Sequence, residues 1–425
     1  MNTAAITRAF EDRSRELPGS ADQHALRRRA LERFDKLGLP GRRIETWHYT
    51  DLSSFAERGF DFIVPPPDAH AIASAEWLLA ARAPIDSGSR FVFVDGHWIE
   101  SLAAIESDAD SGVELRPLPL EQADFDGESA LTALNTAFLT EGAELRVHGN
   151  IQKPIELLFI GTGRKFATQF RLSIALAAAA EATVLLGFVD IPGSGEGWLN
   201  LVTDLSLGES SELTLNRLQA HGDAQDHTSL HRVTLAREAK LTAGSIELGG
   251  RLIRNEFEIA LEGPRAEAHL FGLELTRQKQ HCDTRIEIDH RAESTTSRQD
   301  YRAIAADSSR SVFNGKVIVR EQAQHIDARQ RNDNLLLSRK AEIDTKPELE
   351  IYADQVICSH GATVGELDEE HLFYLRARGI DAETARGILT SAFAETILER
   401  FEHDGFRELA RQEVDSRLPR AIEVG

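Results

Sequence analysis

From about Glu144 to Val364 the chain reads as one short alternating segment after another, with no helical block of convincing length between them. The clearest are Ile155–Phe159, Thr183–Val189, Leu201–Leu207, Leu213–Leu218, Ser229–Leu235, Ile286–Ile288, Val317–Val319 and Leu349–Tyr352. Apolar residues recurring at every second position mark strands with one buried face. A parallel sheet of the βαβ kind needs a crossover helix between strands, and roughly two hundred residues without one exclude it. A sandwich, a barrel and a β-solenoid remain. The separators are a few polar residues or a Gly, and around Glu342–Asp344, Lys346–Pro347 and Glu348–Ile351 there is no tight hairpin signal such as Asn-Gly. Gentle corners favour a solenoid, although no strict period is visible.

The flanks read differently. Ser20-Ala21-Asp22-Gln23 is a capping-box pattern opening a helix that runs to Leu37 before Gly38 and Pro40. Phe91 to Ile99 reads as a hairpin turning at Asp95-Gly96. At the other end, Asp368 to Arg378 is a helix closed by Gly379, and Asp381 caps a second. Along that second helix Ile388, Leu389, Ala392, Phe393, Ile397 and Phe401 form an apolar stripe, and Leu409, Val414 and Leu418 suggest a third. The expected organisation is a helical region with a small hairpin over 1–143, a β core over 144–366 and a helical domain over 367–425.

Composition narrows the function. In 425 residues, a formal charge of -21 disfavours non-specific nucleic-acid binding and docking on anionic lipid. The most apolar stretch, Leu172 to Ile191, is interrupted by Glu181 and Asp190, so buried strands explain it better than a membrane span. Met1 to Arg8 contains no basic segment leading into an apolar one. With only Cys282 and Cys358 there is no disulfide framework, and a reduced, cytoplasmic protein is expected.

Cys358 and His360 lie two apart after the alternating run Leu349–Asp354. On a strand, i and i+2 share a face, so sulfur and nitrogen address the same object. Zinc and iron–sulfur centres want about four ligands, which makes the pair half a site. A buried, inert thiol beside a histidine is the bland reading, and no cysteine-hydrolase motif supports a nucleophile. His227 and His231, with His221, Asp223 and Asp226 nearby, resemble a ligand cluster. On a strand, however, i and i+4 are roughly 13 Å apart, so a polar surface turn is expected there. Gly161-Thr162-Gly163-Arg164-Lys165 and Gly193-Ser194-Gly195-Glu196-Gly197 lack nucleotide-loop spacing or a following helix and read as turns. Cys282 is expected in the core or at its rim.

Several segments resemble the SufB/SufD family of scaffold proteins in the SUF iron–sulfur cluster assembly system. They are Asn332–Leu337, Pro347–Asp354, Cys358-Ser359-His360-Gly361-Ala362-Thr363-Val364-Gly365 and Leu372–Ile380, extended more loosely by Lys153-Pro154-Ile155 and Arg43–Thr50. The chain is closer to the SufD branch than to the SufB branch: it is comparatively short, carries Glu-x-Trp-x-Tyr-Thr at Glu45–Thr50, and lacks the additional cysteines of SufB. His48 departs from the Lys common in that pattern. The resemblance implies a right-handed parallel β-helix between helical regions. It also implies a non-enzymatic role in a complex with SufB and the ATPase SufC. By the same resemblance, β-helix ends pair at the SufB interface, where His360, with Cys358 as the weaker companion, meets a transient iron–sulfur cluster that the isolated chain does not hold. The C-terminal helices receive SufC, with the stripe through Ile388, Phe393 and Ile397 as the candidate docking face and packing of that stripe against the β domain as the alternative. A homodimer is expected when SufB is absent, because open sheet ends invite pairing. The competing readings are a secreted-type β-solenoid enzyme acting on polysaccharide and an inert structural β-helix.

Overall fold

The computed structural model describes residues 3–422 except 84, 106–111, 124, 126 and 128, so Met1, Asn2 and residues 423–425 of the expected terminal regions lie outside the described residues. Among the described residues two sheets, of eleven and nine strands, face each other. Successive strands alternate between them, so each strand lies parallel to the one a full turn earlier. Glu212 lies beside Lys240, Lys240 beside Glu267, Glu267 beside Thr296 and Thr296 beside Asp327, a repeat of 27 to 31 residues. This is a parallel β-solenoid flanked by N-terminal and C-terminal helices, as the alternation without helices predicts.

The corners explain why no period is visible in the sequence. On one edge six successive turns are each made by a non-glycine residue in the left-handed region: Ala179, Ser210, Glu238, Arg265, Ser294 and His325. A single left-handed residue costs roughly 1–2 kcal/mol. It is offset because its N–H donates to a carbonyl in the next corner: Ser210 to Arg237, Glu238 to Pro264, Ser294 to Gln324. The hydrogen-bond ladder thus continues through the bend, and neither Gly nor Asn need recur.

The expected hairpin forms, with Asp95 at φ 46° and Gly96 at 82°, the conformation a two-residue hairpin turn requires. Its first strand, Ser89–Val94, does more than pair within the hairpin. It also lies parallel to Ile155–Gly161 as the first rung, and the strand Glu141–Val147 pairs with Ala167–Leu176. The solenoid therefore begins inside the region assigned to the N-terminal helices, and a boundary at 144 falls within a strand.

The interior changes character along the axis. At the first rungs it is aromatic: Phe93 stacks on Phe159 and Phe159 on Phe188, with centroids 5.0 and 5.1 Å apart. Following one inward column through the register gives Leu186, Arg217, Ser245, Gly272, Tyr301 and Asn332. Along this column the later rungs bring buried polar groups into the interior, beside apolar ones such as Ile286 and Phe313.

Candidate functional site

The last strand, Val356–Gly365, pairs on one side with Ile326–Leu336 and ends its sheet, while Glu342–Ile351 ends the other. From Ser359 to Gly365 every residue is exposed, and Ile351, Tyr352, Ile357 (64%) and Val364 present large apolar side chains to solvent. This end of the solenoid is an uncovered edge with free backbone donors and acceptors, a ready template for pairing.

Cys358 and His360 sit on this strand. Cys358 continues the inward column above Ala328 and packs against the small cluster of Val317, Ile326 and Ala353, half-buried. Burial pushes its thiol pKa up, which disfavours the thiolate in the isolated chain. His360 is exposed and lies in register with Gln330, which in turn lies over Gln299. Both glutamines are buried, and neither side-chain nitrogen nor oxygen of either has a partner. The Asn334 amide nitrogen donates to Asn332 Oδ1 (2.7 Å) and to the Thr363 carbonyl (3.0 Å), but Asn334 Oδ1 is unpartnered. Beneath the imidazole is thus a well of hydrogen-bonding groups without partners. Buried polar atoms in this state are uncommon and mark a place that water or another molecule completes.

The other candidates resolve differently. His227 and His231 are fully buried on the strand Gln225–Leu235, which corrects the expected surface turn. They fall in the polar part of the interior, where His227 Nδ1 meets His221 (3.1 Å), its Nε2 meets Arg217 (3.0 Å), and His231 stacks on Phe257 at 4.6 Å. Burial drives both imidazole pKa values well down, and Arg217 adds to it, so both are neutral. Cys282 lies in the core. Burial and then Glu274 and Glu247 hold its thiol well above the usual range, an inert environment. Among the described residues, no group of three or more His, Cys, Asp or Glu is placed to hold a metal ion.

The Glu45–Thr50 segment is a clamp whose action the sequence alone did not reveal. Arg254 stacks on Trp47 (4.7 Å) and donates to the Thr46 carbonyl (2.7 Å), while the Arg254–Asp283 ion pair is closed by Thr50. Tyr49 lies under Arg310. The aromatic and hydroxyl spacing of the pattern therefore pins the N-terminal region to the middle rungs.

The C-terminal stripe divides. Ile397 is fully buried against the outer face of the larger sheet, in a layer with Phe271, Phe401 and Phe406. Phe393 is partly buried there beneath Arg302 (4.8 Å). Of the three residues expected to form a docking face, only Ile388 is exposed, so most of that stripe is packing against the β core. The preceding helix, Glu369–Ala377, instead buries Leu372 alone and leaves Phe373 (74%) and Tyr374 (54%) in solvent. Among the described residues no helix is long and apolar enough to cross a membrane.

Fold and site define a parallel β-solenoid with one covered and one uncovered end, the uncovered end presenting a thiol–imidazole pair over a polar well. Residues 159–393 match the family model for the SUF system FeS cluster assembly SufBD core domain. The chain is 31% identical to the iron–sulfur cluster assembly protein SufD of Escherichia coli over 96% of its own length and 95% of that protein's. It is 30% identical to an iron–sulfur cluster assembly SufBD family protein of Synechocystis over 92% and 90%, and 30% identical to one of Mycobacterium leprae over 64% and 68%. The chain belongs to the SufB/SufD family of the SUF iron–sulfur cluster assembly system and is most like SufD. That assignment takes the place of the polysaccharide-enzyme reading.

Proposed function

We propose that this chain is a non-catalytic scaffold subunit that pairs with SufB through its uncovered solenoid end and binds the ATPase SufC through its C-terminal helices. The observation that carries the reading is the exposed strand Val356–Gly365 with His360 on it. A partner strand added there satisfies the free backbone groups and covers Ile357 and Val364, as in strand addition to any open edge. His360 then supplies a ligand or proton-accepting nitrogen to the iron–sulfur cluster, which is cargo assembled at the interface, and Cys358 a second, weaker thiolate. SufB contributes the remaining ligands. Phe373, Tyr374 and Ile388 are the apolar side chains offered to SufC, and movement of the helices that carry them passes to the solenoid through the layer containing Ile397, Phe401 and Phe271.

Co-expression with SufB and SufC, followed by anaerobic iron and sulfide quantification, tests this in wild type, His360→Ala and Cys358→Ser. A complex retained with cluster lost in His360→Ala, and a smaller loss in Cys358→Ser, is the expected result. Unchanged cluster content in His360→Ala removes that residue from the mechanism, and failure to recover a complex in wild type overturns the pairing.

A further inference from the structure

We propose that the cavity between the N-terminal helix Ala21–Leu37 and the first rungs of the solenoid binds a small monocarboxylate with an apolar body. The cavity measures about 200 Å³. Its walls include Phe93 and Phe170 from the aromatic interior and Leu115, Leu118, Leu120 and Leu139 from the covering segments. A dry cavity of roughly 150 Å³ with such a lining accommodates benzene, so a single aromatic ring or a short acyl chain is the right size.

One wall carries a charge. Arg27 lines the cavity and is 2% exposed, yet no carboxylate pairs with it among the described residues. Two of its five N–H groups reach carbonyls at long range, Ala137 at 3.3 Å and Pro18 at 3.2 Å, and Nε has no partner. The Ala137 carbonyl belongs to the C-terminal turn of the helix Ala130–Phe138, whose dipole favours a cation there. That accounts for a guanidinium near the helix end but not for the empty space beside it or the idle Nε. A buried cation without an anion is costly, and burial lowers its pKa to about 10, which leaves it charged at neutral pH. A carboxylate in the cavity supplies the missing partner through charge-assisted hydrogen bonds.

Glu141 sets the charge limit. It lines the same cavity but is committed elsewhere, accepting at Oε1 from His97 (2.8 Å) and at Oε2 from the Trp98 amide (3.0 Å). Arg116 also lines the cavity but is already paired with Glu144 (2.7 Å), so a fixed carboxylate beside the one guanidinium without a carboxylate partner repels a second negative charge, and a monoanion fits where a dicarboxylate does not.

The test is calorimetric titration of the full chain with phenylacetate and octanoate, each against its uncharged amide. Wild type is expected to bind at least one acid tenfold or more tightly than its amide. Arg27→Met is expected to abolish that preference while retaining its circular dichroism and melting transition. Thr140→Trp, which fills the cavity from its rim and leaves Arg27 in place, is expected to abolish binding of acid and amide alike. Absence of binding by either acid at millimolar concentration overturns the site. Equal binding of acid and amide, or wild-type acid binding by either variant, overturns it as well.

Discussion

The two ends of the solenoid are made of the same rung and finished in opposite ways. At the N-terminal end the interior is aromatic, Phe93 over Phe159 over Phe188, and the antiparallel strands His97–Trp98 and Val113–Pro117 close the two sheets there. At the C-terminal end the inward column runs Gln299, Gln330, His360, and nothing among the described residues covers the last strand. A solenoid exposes free backbone groups and half-packed side chains at both termini, and stability requires that each end be capped. One end is capped by the chain itself. The other is left polar, half-packed and edged with Ile357 and Val364, and it is the surface proposed above to take SufB as its cap.

The largest expected difference is in stability. Phe159→Ala removes the middle ring of the aromatic stack and should destabilise the isolated chain by about 3–5 kcal/mol. Ile357→Arg, at the uncovered end, should change it by less than about 0.5 kcal/mol while weakening association with SufB tenfold or more. Urea unfolding of both variants beside a binding titration checks the pair. Equal stability losses would erase the distinction between the ends.

A smaller effect concerns the polar half of the interior. His290 faces inward, held by Thr295 (2.7 Å) and Ser297 (2.9 Å), and burial lowers its pKa to about 4. Between that value and the usual 6.5 the unfolded chain takes up a proton that the native imidazole refuses. The contribution is therefore present above 6.5 and lost as pH falls, amounting to about 2 kcal/mol between pH 7 and pH 5. His290→Gln should lose correspondingly less stability over that interval, read from unfolding curves at the two pH values.

The architecture was legible because alternation without helices leaves few alternatives, and strands such as Thr183–Val189 and Leu201–Leu207 fall inside observed ones. The period was hidden because Ser210, Glu238 and Ser294 turn corners that Gly would have announced. His227 and His231 looked like surface residues because histidine in a polar stretch carries no sign of burial. Only the stacked register shows that neighbouring rungs supply Arg217 and Phe257. The C-terminal stripe left docking and packing against the β domain both open for a related reason. A helix buries its apolar face against whatever lies nearest, and for Ile397 that is the chain's own sheet. The Cys358/His360 pair was visible as a shared face, whereas the idle amides of Gln299 and Gln330 beneath it were not, since their rungs are about 30 residues apart.

Hydrogen–deuterium exchange across Val356–Gly365, in the isolated chain and in complex with SufB, tests the central claim most directly. The outward-facing amides of this strand should exchange rapidly in the free chain and become protected by a factor of ten or more on association. Strand amides that stay unprotected in a stable complex, with protection appearing elsewhere, would contradict the account.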